Sequence, residues 1–306
     1  MSKLGAGIRE YMMDIVSKEN VLSDEPMNKH TTFQVGGKAD TFITVDTYEQ
    51  LSKIIVFLRR LEEDYFILGN GSNLLVGDKG YDGVVIRLGK DFQKIETDGN
   101  KITFGAAVLL SKAANVAAKN SLTGMEFASG IPGSIGGAVV MNAGAYGGEM
   151  NRIITSVKVM NIEGDVMTLD NASMEFGYRT SVIKNRPFVV LETQVALDTG
   201  VQIDIYAKMD EFNTRRRDKQ PLEFASAGST FKRPEGHYAG QLIMEAGLSG
   251  LRVGDAQVSE KHCGFIINCG NATATDVKNL IEIVREKVHE HFYIDLIPEV
   301  VFLGEF

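Results

Sequence analysis

Gly69-Asn70-Gly71-Ser72-Asn73 and Gly130-Ile131-Pro132-Gly133-Ser134-Ile135-Gly136-Gly137 are the two stretches on which the reading of this chain turns. The first follows a strand-like run, Tyr65–Leu68, and its glycines alternate with short polar side chains. Consecutive main-chain amides in such a loop can form a nest for a phosphate. The second places Ser134 where it caps a following helix, with N–H donors at that helix N-terminus aimed at an anion. Two phosphate loops in one region suggest a diphosphate. Neither fits the dinucleotide fingerprint G-x-G-x-x-G inside a βαβ unit, nor the nucleotide loop that ends in a Lys, so an ordinary nucleotide fold is disfavoured. Taken alone, either loop also reads as a plain turn between strands.

Around these loops the pattern is mixed α+β without regular βα alternation. An N-terminal helix is expected from Ile8, Tyr11, Met12, Ile15 and Val16, followed by a polar linker around Ser23–Asn28, so that residues 1–30 stand apart. Thr47 and Gln50 form a capping box before a helix whose inner face is Leu51, Ile54, Ile55 and Leu58. Strands are expected at Thr41–Val45, Leu74–Val76 and Val84–Leu88, with hairpins turning at Asp98-Gly99-Asn100 and Glu163-Gly164-Asp165. Ser111–Lys119 reads as a helix, and the small residues Ala138–Ala145 as the first turns of another. The strand Phe188–Leu197 ends at Asp198-Thr199-Gly200, which is taken as the boundary between a region 31–197 and a C-terminal domain 198–306. That domain holds helices at Ala239–Ala246 and Thr275–His289 and strands at Gly264–Asn268 and Glu299–Leu303.

Composition narrows the partners. With 32 basic against 40 acidic side chains the net charge is −8, which argues against a dedicated nucleic-acid binder. No run approaches a membrane-spanning length and the first twenty residues hold no signal-peptide core, so a soluble, cytoplasmic protein is expected. Two cysteines, Cys263 and Cys269, are too few for a disulfide framework. No metal site is expected, because His289 and His291 do not share a helix face. Methionines such as Met12 and Met13 read as core filler.

The two loops, together with Asn142-Ala143-Gly144-Ala145-Tyr146-Gly147, resemble those of the UDP-N-acetylenolpyruvoylglucosamine reductase family, flavoenzymes of bacterial peptidoglycan synthesis. Thr31-Thr32-Phe33-Gln34-Val35-Gly36-Gly37, Gly177-Tyr178-Arg179-Thr180-Ser181, Ala227-Gly228-Ser229-Thr230-Phe231-Lys232 and Ile297-Pro298-Glu299-Val300 also look like family motifs, in family order over roughly residues 28–303. The resemblance implies an FAD-binding region of the vanillyl-alcohol-oxidase type, built from two α+β subdomains, and then an α+β substrate-binding domain. FAD is the implied noncovalent cofactor, since no His or Cys lies in the matched loops. NADPH is the implied co-substrate, a UDP-sugar the small-molecule substrate, and a monomer the expected state. The implied cofactor contacts are Gly69, Asn70, Gly71, Ser72, Asn73 and Leu74, then Gly130, Ile131, Pro132, Gly133, Ser134, Gly136 and Gly137, with Ala143 and Gly144.

Matching motif by motif also places the family's catalytic Arg, Ser and Glu at Arg179, Ser229 and Glu299. Their chemistry suits an enolpyruvyl ether: Arg179 holds the carboxylate bidentately, Ser229 supplies a proton to the α carbon, and Glu299 assists enol stabilisation. Tyr178, Lys219 and Arg233 are the matched substrate contacts, the last two toward its diphosphate. Some relatives carry an extra lobe after the Tyr-Arg motif that closes a Tyr over the substrate. Here only fifty positions separate Arg179 from Ser229, so the chain resembles the shorter subtype without that lobe. A flavin-dependent oxidase on the same FAD scaffold is the alternative reading.

Overall fold

The computed structural model describes residues 5–306 as two compact units, and both are discontinuous in sequence. The first gathers residues 5–23, 41–70 and 83–216, and the second 24–40, 71–82 and 217–306.

Two sheets have most of their residues in the first unit. One has four strands in the order Val21–Pro26, Lys38–Val45, Tyr81–Leu88, Tyr65–Leu68, the last two running parallel with Tyr65 opposite Val84. The other has five antiparallel strands in the order Val166–Asp170, Ile154–Met160, Val189–Ala196, Lys101–Gly105, Ile95–Asp98. Both expected hairpins are present, with Gly99 and Gly164 at positive φ in their turns. The helix Tyr48–Arg60 starts in the capping box read from Thr47 and Gln50 and buries Leu51, Ile54, Ile55 and Leu58. Such a box satisfies two N-terminal donors at once, which is why the helix begins at Tyr48.

Three expectations need correction. The polar stretch around Ser23–Asn28 is not a linker: Val21–Pro26 is an edge strand, followed by a short helical turn at Met27–Lys29. Only Val21 and Met27 of these are buried, so an edge strand with one apolar anchor at each end looks like a loop in sequence. The helix after the second glycine loop spans only Ile135–Val140. It stops at Asn142, whose φ of 41° is left-handed, and Gly144–Ala145 pairs instead with Gly148–Glu149. Finally, Asp198–Gly200 does not end the unit. The helix Gln202–Lys219 follows, and its Ile205, Met209 and Phe212 lie in the first unit's core with Leu197 and Phe127.

The second unit is built on an antiparallel sheet in the order Ala225–Ser229, Phe265–Asn268, Ala256–Val258, Arg252–Val253. The helix Ala274–Phe292 buries Val277, Leu280, Ile281, Val284 and Val288. Its N-terminus has two caps. Thr273 and Asp276 form a capping box, and Asp78 accepts from Ala274 N at 2.8 Å and Thr275 N at 2.8 Å. Leu74–Val76 runs parallel to Val301–Leu303, and Leu75 joins Phe33 and Val35 in the core. These contacts make residues 24–40 and 71–82 members of this unit. The helix Ala239–Glu245 ends before Gly247, whose φ of 74° suits glycine. Cys263 and Cys269 are free thiols. His289 Nδ1 faces Asp295 and His291 Nδ1 faces the Lys287 carbonyl. Among the described residues no helix is long and apolar enough to cross a membrane.

Candidate active site

In the first unit the two glycine loops meet. Asn70 Nδ2 donates to the Pro132 carbonyl at 2.6 Å, and a Cβ at Gly69 would sit 2.8 Å from Ser134 Oγ. An added methyl group at 69 would thus push the Ser134 hydroxyl off its capping position. Ser134 caps its helix as expected, accepting from Gly137 N. The expected use of that helix N-terminus fails: Ile135 N donates to Val108 O and Gly136 N to Ala106 O, both at 2.8 Å. Those amides fasten the loop to the unit rather than face a ligand. The N–H groups of Gly69, Asn70, Gly133 and Ser134 donate to no main-chain oxygen among the described residues. Four such amides on two touching loops form a cradle suited to a diphosphate. Beside them lies a cavity of about 250 Å³, lined by Gly69, Asn70, Ser134, Gly136 and Gly137 and walled by Ile67, Val140 and Val190. Glycine-lined polar rims over an apolar wall suit FAD, whose diphosphate is charged and whose flat aromatic rings can lay a face on apolar side chains.

Tyr178 and Arg179 form the tip of a tight turn, closed by Gly177 N to Thr180 O at 3.1 Å and Thr180 N to Gly177 O at 3.3 Å. Arg179 takes φ 56° there, and both its Nη atoms lie 3.5 Å from the Gly144 carbonyl. Its guanidinium is 5.5 Å from the Tyr178 ring, which is exposed. Buried Asn142 anchors this turn: its Nδ2 donates to Gly177 O at 3.1 Å and its Oδ1 accepts from Asn151 N at 2.9 Å. Asn142 stood inside a motif without an assigned task. The signal available in sequence was its type, since Asn is among the few residues that adopt left-handed φ readily.

In the second unit Ser229 ends a strand that is irregular between Ser226 and Ser229, with Gly228 at φ 76° inside the irregularity. The bulge leaves Ser229 exposed, while Thr230 is fully buried and its Oγ1 accepts from Ile266 N at 3.1 Å. Glu299 N donates to Thr230 O at 2.8 Å, and Lys232 N to Ile297 O at 2.8 Å, so the Ser229 and Glu299 motifs lie side by side. Asn73 fixes Glu299 from another direction: its Nδ2 donates to the Glu299 carbonyl at 3.0 Å, and its own carbonyl accepts from Val301 N at 2.9 Å. In this unit Gly71 is buried, Leu74 opens its strand, and the Gly71, Ser72 and Asn73 amides donate to no main-chain oxygen among the described residues. Lys219 is exposed, and its charge adds to the burial of His262 in holding that imidazole below its ordinary pKa. Arg233 stacks 4.0 Å over the Tyr238 ring. Between Arg179 and Ser229 the chain passes through the strand Val189–Ala196 and the helix Gln202–Lys219, with no further lobe.

The FAD binding domain family matches residues 39–170. Fold and loops therefore define an FAD-dependent flavoprotein oxidoreductase of the vanillyl-alcohol-oxidase type. The likeness to a glucose dehydrogenase, wild-type Phl p 4.0202, is one of fold alone, at 12% identity and TM-score 0.50 over 70% of this chain and 50% of that one. The C-terminal domain of UDP-N-acetylenolpyruvoylglucosamine reductase matches residues 220–303. UDP-N-acetylenolpyruvoylglucosamine reductases of Caldanaerobacter subterraneus and Clostridium tetani are 47% and 49% identical, covering 97% and 96% of this chain and 98% and 95% of their own lengths. The crystal structure of the reductase from Thermus caldophilus superposes with TM-score 0.79 at 38% identity, over 92% of this chain and 98% of that one. The chain belongs to the UDP-N-acetylenolpyruvoylglucosamine reductase family.

Proposed function

We propose that this chain is an NADPH-dependent, FAD-containing reductase that converts UDP-N-acetylglucosamine enolpyruvate to UDP-N-acetylmuramate for peptidoglycan precursors. When bound, FAD would supply the two-electron chemistry that couples NADPH oxidation to reduction of the substrate. Gly69, Asn70, Gly133 and Ser134 hold its diphosphate through their main-chain amides, with no covalent link. An enolpyruvyl group that has gained hydride at its β carbon is an enolate, with its charge spread onto the carboxylate. Arg179 holds that carboxylate, since a planar guanidinium fits two oxygens at once. Ser229 Oγ–H gives its proton to the α carbon, and Glu299 stabilises the enol beside it. A serine hydroxyl is a weak acid, so it serves only a strongly basic acceptor in a site closed to water. The observation that carries this assignment is the bond from Glu299 N to Thr230 O at 2.8 Å, which sets the two motifs on adjacent segments. Lys219 and Arg233 meet the substrate diphosphate and Tyr178 borders the substrate. We read the FAD region and the substrate-binding domain as meeting near residue 217 instead of 198. The reading includes a cytoplasmic monomer acting on a small molecule; the net charge of −8 supports the lack of a nucleic-acid partner.

The test separates the two half-reactions. In Ser229→Ala, flavin bleaching by NADPH should stay within a few-fold of the parent, while reoxidation by substrate slows at least ~10²-fold. Equal losses in both halves would make Ser229 structural.

A further inference from the structure

Phe212, Asn213 and Arg216 of the helix Gln202–Lys219 face the second glycine loop and the loop after it, and all of these residues lie within the first unit. Arg216 is 9% exposed, and its Nη1 donates to the Gly130 carbonyl. A Cβ at Gly130 would lie 2.5 Å from Asn213 Oδ1 and 3.2 Å from Arg216 Nε, so helix and loop are in close contact. Ser129 Oγ donates to Asn213 Oδ1 at 3.4 Å. On the other side, the Arg216 guanidinium lies 5.9 Å from the Tyr146 ring, which stacks on Phe212 of the same helix at 4.7 Å. Arg216 makes no ion pair among the described residues, and its Nε is buried without a hydrogen-bond partner. A buried guanidinium left this way is costly unless it serves a bound group.

We propose that Arg216 is a positioning residue for the cofactor site: it holds Gly130, at the head of the Pro132–Ser134 cradle, and Tyr146 in fixed relation, and it leaves a buried positive charge behind loops that take an anion. The inference rests on the reading of those loops as the FAD diphosphate site. It separates affinity from stability. The bond to Gly130 and the contact with Tyr146 leave the charge itself without an ionic partner among the described residues, so packing alone is a weak return for burying it.

The experiment is titration of FAD into apoprotein, followed by flavin fluorescence, beside thermal melts of the same apoproteins. For Arg216→Met, the apoprotein melts at or above the parent temperature while FAD binding weakens by about ten- to hundredfold, the range for losing a charge-assisted hydrogen bond. Arg216→Lys keeps the charge without the planar fork, and its affinity falls between the two. Unchanged FAD affinity in Arg216→Met overturns the proposal. So does a weakened affinity matched by a melting temperature well below the parent's, which marks a structural residue. If Arg216→Met does not fold, Arg216→Lys decides: binding equal to the parent's overturns positioning by the guanidinium. A parent apoprotein that takes up no FAD would instead sink the cofactor reading itself.

Discussion

Replacing Gly71 by alanine tests the first glycine loop with a single methyl group. Gly71 has φ 61°, where an L-residue costs about 1–2 kcal/mol. An added Cβ would stand 1.9 Å from the His30 carbonyl oxygen and 3.0 Å from Thr31 Cα, both main-chain atoms of the same unit. Ordinary contact begins at 3.4 Å, so the loop must move away from residues 30–31 by more than 1 Å. That movement strains the bond from Thr32 N to Gly71 O, now 3.2 Å, which is worth about 1 kcal/mol. The sum is about 2–3 kcal/mol, or about 4–12 °C in melting temperature at 2–4 °C per kcal/mol. Because Asn73 carries Glu299 two residues on, the same movement should lower both flavin content and substrate turnover. Calorimetry of the apoprotein and flavin absorbance per chain measure the two effects. An unmoved transition together with full flavin content would refute the argument from close approach.

Lys219→Ala or Arg233→Ala should chiefly raise the substrate KM, because a diphosphate remote from the reacting carbons carries similar charge throughout; a fall in kcat at unchanged KM would contradict the role. Lys219→Ala should also raise the pKa of His262 by removing a neighbouring positive charge, read by NMR titration of the imidazole. Glu126 gives a pH prediction. Burial alone would raise its pKa, but donors from Thr123 Oγ1 and Gly124 N at 2.8 Å prevail and hold the carboxyl below its usual value. A depressed folded-state pKa adds stability above the unfolded value of about 4.3, lost as pH falls through the folded one. Glu126→Gln should therefore be less stable to urea than the parent at pH 7, by about 1–3 kcal/mol, and the gap should begin to narrow below about pH 4.3 and close as the pH falls through the lower folded-state value; a gap independent of pH would show the carboxylate charge to be irrelevant.

Much of the fold was legible because local chemistry fixes it. Thr47 with Gln50, the two Gly-centred hairpin turns and the Val277–Val288 stripe each act within a few residues, and the structure contains them where the pattern put them. What the sequence concealed depends on partners far along the chain. Asp78 caps a helix that starts at Ala274, and Asn73 holds Glu299, contacts that no window of residues contains. The helix Gln202–Lys219 packs into the first unit's core, but its apolar residues, Ile205, Met209 and Phe212, say only that it packs and not on what. The helix N-terminus at Ser134 misled for a related reason: Ala106 and Val108 reach it from elsewhere and use its donors. Arg179, Ser229 and Glu299 were legible only through family motifs, since an Arg in a turn or a Ser after a Gly carries no chemical signature by itself. Arg216 stands between Arg215 and Arg217, and nothing in that local run of charge marks it as the buried one.

The second unit is spliced together from three stretches, and its parallel strand pair joins Leu74–Val76 to Val301–Leu303. During synthesis, the early stretches must wait for more than two hundred residues before their strand partner leaves the ribosome. Phe33, Val35 and Leu75 belong to a core whose remaining members are all made after residue 226. Such long-range closure slows folding and leaves apolar surface uncovered meanwhile. The excised segment 217–306 would lack these three side chains, the Asp78 cap and one strand of that pair, so the second unit cannot be cut from the gene as a single piece with its core intact.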